Sequence, residues 1–130
     1  MGFLFQNLRV YQEALTFADK VARLTSGFAR QDWYLADQLR RAGMSISLNI
    51  AESTGRLTSA DQGRFLVMAR GSVHECVAIL DLCRRRGLLP DSARTELDEH
   101  LVAIAKMLAG MLNRDRSADT VREEVEPYTT

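Results

Sequence analysis

Polar side chains in the segment 35–56 recur every three or four residues, which is the spacing of one side of a helix. This stripe lies beside an apolar stripe of the same helix, and polar groups at the edge of a core lose hydration and need partners. We therefore predict a structural network between the second and third helices, in which a carboxylate pairs with an arginine; a small-anion or nucleic-acid site is the alternative. Its members are Arg41, Ser45, Asn49, Glu52, Arg56 and Glu75.

Residues that could perform catalysis or bind a metal do not form a recognisable set. His74 and Glu75 begin the zinc-protease motif HExxH, but the second histidine is missing. Neither His74 nor His100 has the Glu-x-x-His spacing of a di-metal bundle. Cys76 and Cys83 lie seven residues apart, roughly 10 Å along a helix, which is too far for a disulfide. We expect reduced core thiols, no catalytic residue, no metal and no cofactor.

Charge gives little support to a dedicated nucleic-acid binder. The 130 residues carry 17 Lys+Arg and 17 Asp+Glu, so the net charge is near zero and nucleic-acid contact would need a local patch. The candidates for such a patch are Arg40, Arg84, Arg85 and Arg86. The last three end the third helix, where cations also complement the helix dipole.

The compartment and domain organisation follow from the apolar pattern. No apolar run approaches the 18 residues of a membrane span, and the first residues do not resemble a signal peptide, so we expect a cytoplasmic protein. The apolar repeat continues to about residue 113. We therefore predict a domain over residues 1–113 and a polar, loosely ordered tail over residues 114–130.

Helical spacing predicts four long helices over about residues 7–26, 32–54, 60–86 and 91–113. Short links between long amphipathic helices indicate an all-α fold, an antiparallel up-down-up-down four-helix bundle. The predicted core stripe of the second helix is Leu35, Leu39, Ala42, Ile46 and Ile50. That of the first helix is Leu8, Tyr11, Leu15, Ala18, Ala22 and Thr25. That of the third helix is Phe65, Met68 or Ala69, Ser72, Cys76, Ile79 or Leu80, and Cys83. That of the fourth helix is Leu97, Leu101, Ile104, Leu108 and Leu112.

Helix ends carry capping signals. We expect Asn7 and Asp32 to cap the first two helices, and Thr58 or Ser59 to cap the third, with Ser59 and Gln62 fitting a capping box. Asp91 or Ser92 is expected to cap the fourth helix. Gly71 falls in the middle of the third helix, where glycine costs about 1 kcal/mol relative to alanine, and we interpret it as a place of close helix approach.

Some apolar side chains remain outside the predicted core. Met44 and Leu48 lie on the side of the second helix away from the main stripe, and aromatic residues precede the first and second helices. Trp33 either closes one end of the bundle or contacts another subunit, since Trp is enriched in interfaces. The predicted oligomer interface comprises Phe3, Phe5, Trp33, Met44 and Leu48.

Several short motifs together resemble a known family. They are Arg40-Arg41, Ser45-Ile46, Asn49-Ile50-Ala51-Glu52, and Gly71-Ser72 with Glu75. In this combination the chain is similar, over roughly residues 5–113, to the bacterial four-helix bundle proteins first named for reading frames inside 23S rRNA intervening sequences. Ser53 departs from the glycine common at that position.

The resemblance implies a homo-oligomer, a ring of five subunits, with no established enzymatic activity and no catalytic residues to transfer. It also implies kinship with accessory proteins of diversity-generating retroelements, which bind a reverse transcriptase and nucleic acid. We therefore expect a non-enzymatic, homopentameric scaffold or interaction protein with a protein partner. The alternative is a nucleic-acid-binding accessory protein, for RNA or DNA, with a partner similar to reverse transcriptase.

Overall fold

The computed structural model describes the backbone of residues 2–123 and the side chains of residues 2–114. Its helices are α1 (Arg9–Thr25), α2 (Trp33–Thr54), α3 (Ser59–Arg85) and α4 (Asp91–Glu123), with 3-10 turns at Leu4–Asn7 and Arg30–Asp32. Each helix packs against its neighbours in the chain, and α4 closes the bundle against α1. The prediction of an all-α four-helix bundle is confirmed, and the described residues form no strand.

The core stripe of α2 is confirmed, because all five predicted residues are buried. The stripe predicted for α1 is confirmed only in part: Thr25 is buried and Leu8 and Tyr11 pack against the core, but the other buried positions are Val10, Ala14, Phe17 and Val21. Leu15, predicted inside, is 39% exposed. Apolar residues lie on two adjacent sides of α1, so spacing alone left two interpretations, and packing against α2 and α4 selected one of them.

The stripe of α3 needs two corrections, since Leu66 and not Phe65 enters the core, and Val73, which was not predicted, is also buried. Of the paired alternatives, Ala69 is buried while Met68 is 47% exposed, and Ile79 and Leu80 are both buried. In α4 the predicted stripe is confirmed from Leu97 to Leu108, and Leu112 packs at its edge.

Two of the predicted capping roles are wrong, although the helices begin within two residues of the predicted positions. Asn7 ends a 3-10 turn, and Leu8 stands at the start of α1 without a side-chain cap. Asp32 precedes α2 but makes no capping hydrogen bond, because its carboxylate accepts from the guanidinium of Arg86 at 2.9 and 2.5 Å. A helix end can thus be placed by a tertiary ion pair in place of a local cap.

At the α2–α3 turn, Thr58 caps α3 by accepting from the backbone N–H of Asp61. The predicted Ser59–Gln62 capping box is wrong, because the side-chain amide of Gln62 donates to the carbonyl of Arg56. Gly87 ends α3 with a φ of 68°, a left-handed conformation that favours glycine.

Helix α4 continues to Glu123, past the end of the apolar repeat at about residue 113. The first part of the predicted tail is therefore helical in backbone, while residues 124–130 lie outside the described residues. Within the part of the chain that the structure describes, no helix combines the length and hydropathy needed to cross a bilayer.

Candidate functional site

The predicted polar stripe has its centre where α2 crosses α3. The hydroxyls of Ser45 and Ser72 form a hydrogen bond of 2.8 Å, and Ser72 also donates to the carbonyl of Met68 at 3.2 Å. The amide of Asn49 donates to the carbonyl and to the hydroxyl of Ser45, at 2.9 and 3.0 Å. These bonds satisfy polar groups at the edge of the core and join the two helices. Ser72 is a member that the sequence placed only in the apolar stripe.

The charged end of the stripe is built around an aromatic ring. Arg56, just after the end of α2, donates a hydrogen bond of 2.8 Å to the carboxylate of Glu52. A carboxylate–arginine pair is therefore present, as predicted, but it joins two residues one turn apart and does not join α2 to α3. The guanidinium of Arg56 also lies 4.4 Å from the ring centroid of Phe65, and that of Arg64 lies 4.7 Å from the same centroid. A guanidinium over an aromatic face is attracted by the ring quadrupole. Phe65 is therefore half-buried at the edge of the core, in contact with the two guanidinium groups.

Two predicted members of the network do not join it. Arg41 is exposed and lies 3.9 Å from Asp37 on its own helix. Glu75 is exposed and forms no ion pair with a described residue. The structure therefore brings together Ser45, Asn49 and Ser72, and separately Glu52 with Arg56, without a charge pair across the seam.

Arg40 is engaged with α1. Its Nε donates to the hydroxyl of Thr25 at 2.8 Å, and its Nη2 donates to the carbonyl of Ala22 at 2.9 Å. The guanidinium lies 4.9 Å from the ring centroid of Trp33. An arginine that binds the last carbonyls of a helix stabilises its C-terminus. Arg40 therefore holds α1 against α2 and covers one face of Trp33.

The arginine run at the end of α3 is divided. Arg86 pairs with the buried carboxylate of Asp32, and this hydrogen bond raises the pKa of Arg86 above its ordinary value. Arg84 and Arg85 are exposed, and their side chains form no hydrogen bond with a described residue. A nucleic-acid contact by this run stays a prediction, and Arg84 and Arg85 are the members that are free to make it.

Exposed apolar side chains lie around the Ser45–Ser72 contact. Leu48 lies about one turn after Ser45 on α2, and Met68 lies about one turn before Ser72 on α3. Because the two helices run in opposite directions, both residues lie at the same level, on the same side of the Ser45–Ser72 contact. Their exposures are 58% and 47%, and Met44, one turn before Leu48 on α2, is 52% exposed. We call the surface formed by Met44, Leu48, Met68 and Gly71 the α2–α3 face.

Gly71 lies on this face with no intrachain neighbour. A Cβ built at Gly71 would meet nothing within 4 Å, whereas one at Gly43 would lie 3.3 Å from the ring of Phe17. The close helix approach predicted at Gly71 is thus absent within the chain, and the bundle has its close approach at Gly43. No sequence pattern singled out Gly43, which lies between Ala42 and Met44 in α2.

The predicted oligomer residues fall into three places. Phe3 and Phe5 stack at 5.9 Å between ring centroids, and Phe5 meets Tyr11 edge-on at 4.9 Å, at the end of the bundle where α1 begins. Trp33 lies at the opposite end, beside Arg40. Only Met44 and Leu48 belong to the α2–α3 face. A continuous interface within one subunit would therefore be centred on those two residues.

A polar cluster between α1 and α4 was not predicted. His100 lies between Glu13, which its Nδ1 contacts, and Lys20, whose Nζ is 2.9 Å from Nε2. Lys20 also contacts Glu96, and its hydrogen bond and charge lower the pKa of Glu96. These bonds cross-link the two helices at positions separated by about 80 residues in the chain, which local spacing does not reveal.

The part of the chain that the structure describes contains neither an exposed thiol nor a cluster of metal ligands. Both cysteines are free and fully buried. Burial, with a smaller effect of the Glu75 carboxylate, raises the pKa of Cys76 to about 12. No group of three or more His, Cys, Asp or Glu among the described residues could hold a metal ion.

Comparison with known proteins gives a family and a fold. The family described as 23S rRNA-intervening sequence protein matches residues 6–110. A crystal structure from Bacteroides thetaiotaomicron, of a protein with unknown function from the S23 ribosomal protein family, superposes with a TM-score of 0.73 at 22% sequence identity. The similarity covers 79% of this chain and 97% of that chain. No curated protein matches this sequence.

Proposed function

Because the chain belongs to the 23S rRNA-intervening sequence protein family, we propose that it is a non-enzymatic cytoplasmic protein that assembles with copies of itself through the α2–α3 face. The assembly that we propose is a ring of five subunits, which then presents repeated surfaces to a protein partner. The single observation that carries the proposal is the exposed cluster of Met44, Leu48 and Met68 beside Gly71.

The chemistry of this face supports association. Methionine, aromatic residues and arginine are enriched in interface cores, and Phe65 with Arg56 and Arg64 borders the apolar cluster. Complete burial of a large apolar side chain is favourable by about 1.5–3 kcal/mol, and these side chains, which are about half exposed in the subunit, would each gain roughly half of that. A glycine without intrachain neighbours would let the backbone of a second helix approach α3 closely. The glycine's helix penalty, about 1 kcal/mol, would thus be offset by contact in the assembly.

Mass measurement with surface variants tests the proposal. We expect sedimentation of the wild-type chain at micromolar concentration to give about five times the subunit mass of 14.6 kDa. Leu48→Asp and Met68→Asp place a carboxylate in the face, and either should shift the protein to the monomer with an unchanged helical circular dichroism spectrum.

Val102→Asp is the matched control. Val102 lies on α4 with 53% exposure, close to that of Leu48, but away from the α2–α3 face. This variant should keep the wild-type mass. A wild-type monomer would refute self-assembly, and equal dissociation by Val102→Asp and Leu48→Asp would refute the choice of face.

A second candidate function is nucleic-acid binding, favoured by the exposure of Arg84 and Arg85. A ring would repeat this small patch on every subunit, so avidity could compensate for the neutral net charge. Arg84→Ala with Arg85→Ala should weaken RNA or duplex DNA binding and flatten its salt dependence. Arg23→Ala, which removes an exposed arginine already paired with Asp19, is the control. Absence of binding at low salt would eliminate this candidate.

A further inference from the structure

A mainly apolar cavity of about 730 Å³, open to solvent on the side of the exposed residues Phe3 and Leu4, lies at the end of the bundle where α1 begins. It lies between the N-terminal segment, the end of α2, the start of α3 and the middle of α4. Its volume falls within the range of small-molecule sites, about 300–1,000 Å³. The residues that determine its character are Phe3, Phe5, Leu8, Leu66, Met111 and Arg114.

The uncharged polar side chains in the cavity wall already donate hydrogen bonds to backbone carbonyls of the chain. Ser53 and Thr54 donate their hydroxyls to carbonyls of their own helix at 2.7 and 2.8 Å. The side-chain amide of Gln62 donates to the carbonyl of Arg56 at 3.0 Å. A polar ligand body would therefore lose hydration without gaining these donors. The wall favours a ligand whose body is apolar.

Arg114 is the one charged side chain that lines the described cavity. No carboxylate of a described residue lies within ion-pair distance of it. Its guanidinium lies back along α4, since a Cβ at Gly110 would be 3.7 Å from Nη1. A guanidinium binds carboxylates with two parallel hydrogen bonds. The cavity thus combines an apolar wall with one cation.

We propose that this cavity binds one linear fatty carboxylate, with the acyl chain between Leu66 and Met111 and the carboxylate on Arg114. This site is separate from the α2–α3 face. Burial of a methylene favours binding by a factor of about four. Affinity should therefore rise with chain length until the cavity is filled, and then remain constant.

The test is calorimetric titration of the whole chain with octanoate, decanoate, dodecanoate and tetradecanoate, below their micelle concentrations. We expect one site per chain and about fourfold tighter binding per methylene over part of the series. Dodecanol, which has the same chain and no charge, should bind about tenfold more weakly than dodecanoate.

Two variants locate the site. Arg114→Gln should weaken dodecanoate binding about tenfold without changing dodecanol binding, whereas Arg30→Gln, at the other end of the bundle, should change neither. Ala51→Phe places a ring in the cavity wall and should abolish binding of both ligands. Circular dichroism checks that each variant is folded.

Three results would overturn the proposal. They are the absence of saturable binding, equal affinity for dodecanoate and dodecanol, and binding that Ala51→Phe leaves intact. Binding that weakens as protein concentration rises would also overturn it, because a second copy of the chain would then occupy the cavity.

Discussion

Two glycines in helices of the same bundle should respond to alanine in opposite ways. Replacing a helical glycine with alanine removes a backbone entropy penalty of about 1 kcal/mol. At Gly71 the new Cβ would meet nothing within 4 Å, so Gly71→Ala should raise the free energy of unfolding of the subunit by about 1 kcal/mol. At Gly43 the Cβ would lie 3.3 Å from the ring of Phe17 and 3.9 Å from the Cα of Ala18.

The contact between Gly43 and Phe17 decides whether alanine at position 43 stabilises or destabilises the subunit. Phe17 is fully buried, so its ring has little freedom to move. Overpacking of a core costs about 1–3 kcal/mol, which offsets or exceeds the propensity gain of about 1 kcal/mol. Gly43→Ala should therefore leave stability unchanged or lower it by up to about 2 kcal/mol. The two substitutions should differ by about 1–3 kcal/mol.

The assay is urea unfolding followed by circular dichroism. Both substitutions are made on the Leu48→Asp background, because association would otherwise make stability depend on protein concentration. Phe17→Leu opens space at Gly43, so its combination with Gly43→Ala should be less destabilising than the sum by about 1 kcal/mol. Equal stabilisation by Gly43→Ala and Gly71→Ala would refute the reasoning, since the ring of Phe17 would then yield without cost.

Three further expectations concern assembly, a half-buried arginine and a thiol. In the wild-type background Gly71→Ala should weaken self-association while stabilising the subunit, which sedimentation and urea unfolding separate; unchanged association would contradict close helix approach. Arg40→Met should lower the free energy of unfolding by about 1–3 kcal/mol, because it leaves α1 acceptors unpaired, whereas the exposed neighbour Arg41→Met should change it by less than about 0.5 kcal/mol. Burial raises the pKa of Cys76 to about 12 in the folded state, whereas the thiol ionises near 9 when unfolded, so the free energy of unfolding should fall as the pH rises above 9; burial raises the pKa of Cys83 as well, so Cys76→Ala should reduce that slope without abolishing it. An identical alkaline slope in Cys76→Ala would exclude the thiol as its cause.

Local rules accounted for the helices and for part of the proposed α2–α3 face. The strict apolar repeat of α2 determined which of its sides is buried, and Thr58 had the expected capping role. The exposure of Met44 and Leu48 also followed from their position opposite that repeat. The pattern failed in α1, where two adjacent apolar sides competed and the burial of Phe17 depended on Gly43 of another helix.

Ion pairs and hydrogen bonds between segments distant in the chain could not be predicted from the sequence. Asp32 was predicted to cap α2 because the carboxylate of an aspartate before a helix usually accepts from a backbone N–H of the first turn. In the structure the carboxylate accepts instead from Arg86, which lies 54 residues away in the chain. The same limit applies to Arg40, whose charge suggested a free surface and whose donors bind α1. Arginine has five donors on a long side chain, so its role depends on which acceptors the fold brings near.

By itself the sequence determined an all-helical bundle, the buried side of α2, the family and the lack of a recognisable catalytic motif. These follow from spacing and residue type, which act within a few turns of one helix. The tertiary structure alone decided that Gly43 and not Gly71 lies at a close helix contact, that Phe65 stacks with arginines, and that the bundle end contains a cavity. The physical reason is that these features depend on distances between helices, and such distances are set by packing of all four helices together.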